Sequence, residues 1–275
     1  MRKKTALALV LTAMIPNLAI AAPNVQANDH KEISDKAYET QFGPQSPRDI
    51  DVDNGKNPVI FSKAPPSSVL NLCNIHFHKN AEHRGGEFTK PVNSSVNEAG
   101  FLYTGQLNKS ELMPYELPVC KAKGSGLKSG DTIELHYVYS TAPVKPGETL
   151  GACLTEHINN PQLRVEAQVM VLTNDGNGQN FNTLAEFEKV NGYYQAVNLS
   201  DTTGKPVEYT GSTTGPSYND KGSPFKVTWS VRPKVLKTDI KSVGKWCEQN
   251  TFNEHAAHDV RNLVTNPQYL SPILN

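Results

Sequence analysis

The hydrophobic and polar positions of this chain change period over short distances. From Leu163 to Val169 the order Leu-Arg-Val-Glu-Ala-Gln-Val alternates strictly, as a half-buried strand does, and the run continues to Thr173. Similar runs at 99–104 and 131–139, and the stretch Phe225 to Val231, predict further strands. Another strand begins near Val69 and carries His76 and His78, while Pro58 to Phe61 reads as a short strand ended by Ala64-Pro65-Pro66-Ser67-Ser68. Helical spacing is rarer. Asp239 to Gln249 puts Ile240, Val243 and Cys247 on one face, with Thr238 or Asp239 as cap, and residues 182–190 predict a short helix. Phe42 to Asp51, Asn174 to Gly178 and Tyr209 to Pro216 read as turns or loops. Repeats, coiled-coil seams and low-complexity tracts are absent from the sequence. Short strands, many Pro and Gly turns and little helix predict a mainly β, α+β domain with an antiparallel sheet.

The N-terminal pattern is of a different kind. Arg2, Lys3 and Lys4 precede an apolar run from Ala6 to Ile15, and Ala19 and Ala21 supply small residues for a cut after Ala21. The run is short for a bilayer span and is interrupted by Pro16 and Asn17. Residues 1–21 are therefore expected to be a signal peptide, 22–41 a flexible leader and 42–275 the domain. The expected location is the periplasm, with secretion as the alternative, and no membrane anchor after signal removal. Loss of the three leading cations leaves 24 basic against 27 acidic residues, so no basic field for nucleic acid or anionic lipid follows.

Four cysteines, Cys73, Cys120, Cys153 and Cys247, fit two disulfides in an oxidising compartment, with three connectivities open. Cys120 and Cys153 flank the strand carrying His136, which favours Cys120–Cys153 and leaves Cys73–Cys247. Cys-x-x-Cys spacing, which a thiolate metal site would favour, does not occur.

Three of the eight histidines fall between Asn74 and His83. On a strand, His76 and His78 point to one face, and His136 from a neighbouring strand would complete a metal tripod with an open position. Glu134, two residues before His136, would share its face and accept the second ring proton of a ligand histidine, unless it simply faces solvent. His76-x-His78 with Glu82 also fits the core of a cupin motif. Leu70 and Thr89 stand where that motif needs glycines, and no Pro-x-Gly-x-x-His segment follows.

His76 to His83 resembles the metal-binding strand and corner of alpha- and delta-class carbonic anhydrases, and Ile133 to His136 resembles the segment with their third ligand. Gln45 to Ile50 resembles their Gln-Ser-Pro wrap. Tyr209 to Gly215, with Val227-Thr228-Trp229, resembles their gatekeeper loop and pocket strand. The Tyr-Thr-Gly-Ser-Thr-Thr-Gly form, Gly151-Ala152-Cys153 and Val165 to Val169 are closer to the delta class. The resemblance covers roughly residues 42 to 265.

It implies a single domain on a large twisted, mostly antiparallel sheet. It also implies Zn2+ on His76, His78 and His136, and attack of zinc-bound hydroxide on carbon dioxide to give bicarbonate. Thr214 would be the gatekeeper hydroxyl and Glu82 its carboxylate partner. Val138 and Trp229 would line the substrate pocket. Gly215 and the long segment before Trp229 depart from the alpha-class loop. His83, His157, His255 and His258 are proton-shuttle candidates by residue type alone, and His83 also suits a structural hydrogen bond. A non-catalytic zinc- or ligand-binding protein on the same fold is the alternative, and ester hydrolysis a further use of the same hydroxide. Oligomeric state is not fixed by the sequence.

Overall fold

The computed structural model describes residues 43–92, 99–121, 126–212 and 225–274. Its strands are β1 Asn71–Lys79, β2 Lys90–Pro91, β3 Phe101–Leu102, β4 Thr132–Ser140, β5 Gln162–Thr173, β6 Phe187–Val190, β7 Tyr193–Ala196, β8 Val207–Gly211, β9 Lys226–Asp239 and β10 Ile273–Leu274. The helices among the described residues are α1, Phe181–Leu184, and α2, Ile240–Glu248. Six strands form one sheet in the order β1-β4-β5-β9-β8-β10. Its pairings are antiparallel except for the parallel β5–β9. The expected mainly β, mostly antiparallel architecture is what the chain adopts.

Alternation divides the sheet into two apolar faces. Ile75, Phe77, Leu135, Tyr137, Met170 and Leu172 pack with Phe181, Val243 and Trp246, so α2 covers this side. Val138, Val165, Ala167, Val169, Trp229 and Val231 form the other core. Both β4 and most of β5 are buried along their length, which explains their high content of Ile, Val, Leu and Tyr. The β5–β9 ladder shifts register after Gln168, opposite the stretch of β9 holding Pro233, which has no N–H to give.

Several expectations change. Residues 182–190 are not one helix: α1 stops at Leu184, and β6 and β7 form a hairpin. Asn191 and Gly192, both at positive φ, make its turn, the conformation an Asn-Gly hairpin needs. Pro58 to Phe61 is irregular, and a 3-10 turn at Ser67–Val69 delays β1 to Asn71. Tyr209 to Gly211 belongs to β8 instead of a loop, because it pairs with Val227 to Trp229.

The disulfides are Cys73–Cys153 and Cys120–Cys247, not Cys120–Cys153 with Cys73–Cys247. Leu72 lies opposite Tyr139, so the chain leaving β4 folds back beside Cys73 and brings Cys153 to it. Cys120 packs on the other face with Cys247 of α2.

Candidate metal centre

Register does the first part of the assembly. His76 lies opposite His136 and His78 opposite Glu134, so one face of β1 and β4 carries all four side chains. One ring nitrogen from each of His76, His78 and His136 lies within 4.8 Å of the others. Beyond β1, Asn80 at φ 70° turns the chain, a backbone state that Asn accepts more readily than most residues. The turn brings Glu82 and His83 onto Glu134.

The hydrogen bonds assign the protons. His78 Nδ1 meets the carbonyl of Asp259 at 2.8 Å, and a carbonyl only accepts, so Nδ1 carries the proton and Nε2 is bare. Asn74 Oδ1 faces His76 Nδ1 at 2.7 Å, leaving His76 Nε2 bare in the same way. Glu134 Oε1 takes His136 Nε2–H at 2.9 Å, so the free nitrogen of His136 is Nδ1. That atom lies 3.3 Å from His76 Nε2. In the singly protonated tautomers of both rings, these two nitrogens turn their lone pairs toward each other.

Glu134 has no exposed surface, yet all its donors are on the protein. Oε1 accepts from His136 and from His83 Nδ1 at 2.6 Å, and Oε2 from the backbone N–H of Glu82 and His83 at 2.6 and 3.0 Å. Burial opposes its ionisation, but the adjacent His83 and hydrogen bonds from His136 and His83 outweigh it and hold its pKa well below the usual carboxylate value. Burial first, then the crowding of His136, His78 and His258, holds His76 well below the usual histidine value. His78 is lowered mainly by burial. Neutral imidazoles beside an anionic acceptor are the donor state a metal ion requires.

His83, Glu134 and His136 form a second cluster with metal-like spacing. Its interior is already filled by the N–H groups of both histidines, so it is a hydrogen-bond set. His83 Nε2 then accepts from the Tyr209 hydroxyl at 2.6 Å, and that oxygen faces Ser46 Oγ at 2.6 Å. Burial raises the Tyr209 pKa well above its ordinary value, so the phenol keeps its proton. A buried chain thus runs from Ser46 through Tyr209 and His83 to Glu134 and His136.

Glu82 is buried, and its Oε1 accepts the backbone N–H of Arg261 at 3.3 Å. Thr214 lies outside the described residues. Val138 and Trp229 are both buried on the histidine side of the sheet. The Trp229 ring lies 5.3 Å from that of His136 and 5.0 Å from that of His83. Its Nε1 is buried with no hydrogen-bond partner among the described residues. His258 stands beside the cluster, with ring centroids 5.3 Å from His76 and 5.6 Å from His78, while Glu254 accepts at its Nε2. His255 is held by Cys247 O and Asn253, and His157 is exposed.

Sequence reasoning missed Asn74, Asp259, Tyr209 and Ser46 as supports. Asn74 had a signal, since it precedes His76 by two residues and shares its face. Asp259 acts through a backbone carbonyl and gave none.

Three convergent imidazoles on a mainly β, mixed sheet define the class: a β protein with a histidine group able to hold a metal ion. A family model described as Delta carbonic anhydrase matches residues 67–242, well over half the chain, and the chain belongs to the delta carbonic anhydrase family. Carbon dioxide and bicarbonate are the substrates this membership implies. Similar solved structures include the alpha-carbonic anhydrase of Thermovibrio ammonificans in complex with the inhibitor sulfanilamide. It is 16% identical, over 82% of this chain and 84% of that one, with a TM-score of 0.28. A hyperthermostable carbonic anhydrase from an active hydrothermal vent chimney is 15% identical over 84% of this chain and 86% of that one, with a TM-score of 0.30. The alpha-carbonic anhydrase of Photobacterium profundum is 15% identical over 84% and 92%, with a TM-score of 0.27. Comparison with curated proteins gave no match. The family assignment rests on the family model alone.

Proposed function

We propose that His76, His78 and His136 bind zinc and that the chain hydrates carbon dioxide reversibly there, giving bicarbonate and a proton. The observation that carries this reading is the convergence of one ring nitrogen each from His76, His78 and His136 within 4.8 Å of one another, with His136 Nδ1 3.3 Å from His76 Nε2, a gap that a metal ion would fill. Three neutral nitrogen donors suit zinc and leave room for a further ligand. When bound, zinc supplies a Lewis acid that lowers the pKa of water to about 7, a value for which carbonic anhydrases are themselves the reference case.

The chain's own residues have separate tasks. Glu134 fixes the His136 tautomer and ring plane, and the Asp259 carbonyl does so for His78. Thr214 is assigned as the hydroxyl that orients the nucleophile, with Glu82 accepting its proton. Trp229 and Val138 offer carbon dioxide an apolar wall. The released proton must reach bulk buffer for the next cycle. Two disulfides favour an oxidising compartment, and no helix among the described residues is long and apolar enough to cross a membrane. Export to the periplasm is the location proposed.

Metal analysis and stopped-flow hydration on wild type and His136→Ala test the reading. Wild type should carry about one zinc per chain and hydrate carbon dioxide, and His136→Ala should lose both. Full activity in the variant would remove the site assignment. Zinc without hydration in wild type would favour a binding protein on the same fold.

A further inference from the structure

The bare nitrogen of His76 depends on one amide. Asn74 can present Oδ1 to His76 only because its Nδ2 donates to the Gly147 carbonyl at 3.0 Å. Flipping the amide would set its oxygen against that carbonyl, so Gly147 O selects the orientation. The N–H of Gly147 meanwhile donates to Cys73 O at 3.0 Å. One residue of the segment after β4 therefore grips two successive residues of β1. They are the two at its register shift, which lies between Leu72 and Asn74. The shift lets Cys73 join the core on the histidine side, where it is bonded to Cys153. Asn71 Nδ2 adds a bond to the Ala142 carbonyl at 3.1 Å, so the segment 141–153 is stitched to β1 from end to end.

We propose that this segment, closed by Cys73–Cys153, is a positioning device for the metal centre: it orients Asn74, and Asn74 sets the tautomer and plane of His76. The inference rests on the zinc reading above. Asn74 is a positioning residue that acts through His76. Both cysteines of this disulfide are fully buried, so the closure is a permanent tether. A purely structural disulfide would stabilise the fold without being coupled to Asn74 in metal affinity.

The test is a double-mutant cycle on zinc affinity, read by competition with a chromophoric chelator, with the visible spectrum of the cobalt-substituted protein as second readout. Asn74→Ala should weaken zinc roughly 10–100-fold and alter the cobalt spectrum. Cys73→Ala with Cys153→Ala should also weaken zinc, and adding Asn74→Ala to that pair should cost no further affinity. Additive losses would overturn the proposal, as would unchanged affinity in Asn74→Ala.

If the cysteine pair does not fold, Asn74→Asp decides, because it keeps an acceptor for His76 but has no N–H to give the Gly147 carbonyl. A loss near that of Asn74→Ala supports the proposal, and affinity within a few-fold of wild type overturns it. Wild type that binds no zinc would sink the zinc reading itself. Zinc-loaded, active wild type with an indifferent Asn74→Ala sinks only the tether.

Discussion

At the residue scale, Glu134 links the histidine cluster to the rest of the molecule. Its two oxygens receive two histidine N–H groups and two backbone N–H groups, with no water needed. In Glu134→Gln an amide NH2 must face donors on one side or the other. That leaves buried N–H groups unpaired, at about 1–3 kcal/mol. We expect lower stability in urea and a zinc affinity reduced roughly 10–100-fold, both measured on the same preparation. Unchanged affinity would mean that His136 does not depend on Glu134 for its tautomer. Much of this scale was legible, because His76, His78, Glu134 and His136 obey a period of two that any strand imposes. The His83–Tyr209 bond spans 126 residues and was not legible, since both groups sat in recognisable motifs with nothing in either to name the partner.

At the element scale, the helix with a clear cap and face was found almost to the residue. Asp239 accepts the backbone N–H of Lys241 and Ser242 and so starts α2. Asp239→Ala should cost about 1 kcal/mol, read as a lower urea midpoint with an unchanged slope. A changed slope would show that more than the cap was lost. The short hairpin β6–β7 was missed because four-residue strands give too few positions to separate a period of two from 3.6. Its Asn191-Gly192 turn was the better signal. Disulfide pairing failed for a topological reason. Distance along the chain suggested Cys120 and Cys153 as flanks of one strand, but the two lie on opposite faces of the sheet, in different cores. Only the β1–β4 register, which returns the segment after β4 to Cys73, decides the pairing.

At the scale of the whole molecule, one side of the sheet holds the histidines while the other carries charges on β5, β8 and β9. Arg164 Nη1 donates to Glu208 Oε1 at 2.6 Å, Lys63 pairs with the same carboxylate, and Arg232 pairs with Glu166 at 3.0 Å. Burial works against ionised Glu208, but hydrogen bonds from Lys63 and Arg164 outweigh it and lower its pKa from the ordinary 4.5. A depressed carboxylate contributes stability above its unfolded pKa and loses it as pH falls through the folded one. Wild type should therefore lose stability below about pH 4.5, and Glu208→Gln should flatten that limb while leaving a lower plateau at neutral pH. An identical acid profile would show that Glu208 is not part of it.

The proposed zinc would act at this scale too. Binding to the folded chain alone at about a hundredfold excess over Kd adds about 2.7 kcal/mol, so chelation should lower Tm and zinc should restore it. The central claim is met most directly by titrating zinc into metal-depleted protein and following carbon dioxide hydration by stopped flow. The account predicts that activity is absent at the start, rises in proportion to added zinc and stops rising at about one equivalent per chain. Full hydration before any zinc is added, or none after one equivalent is bound, would contradict it.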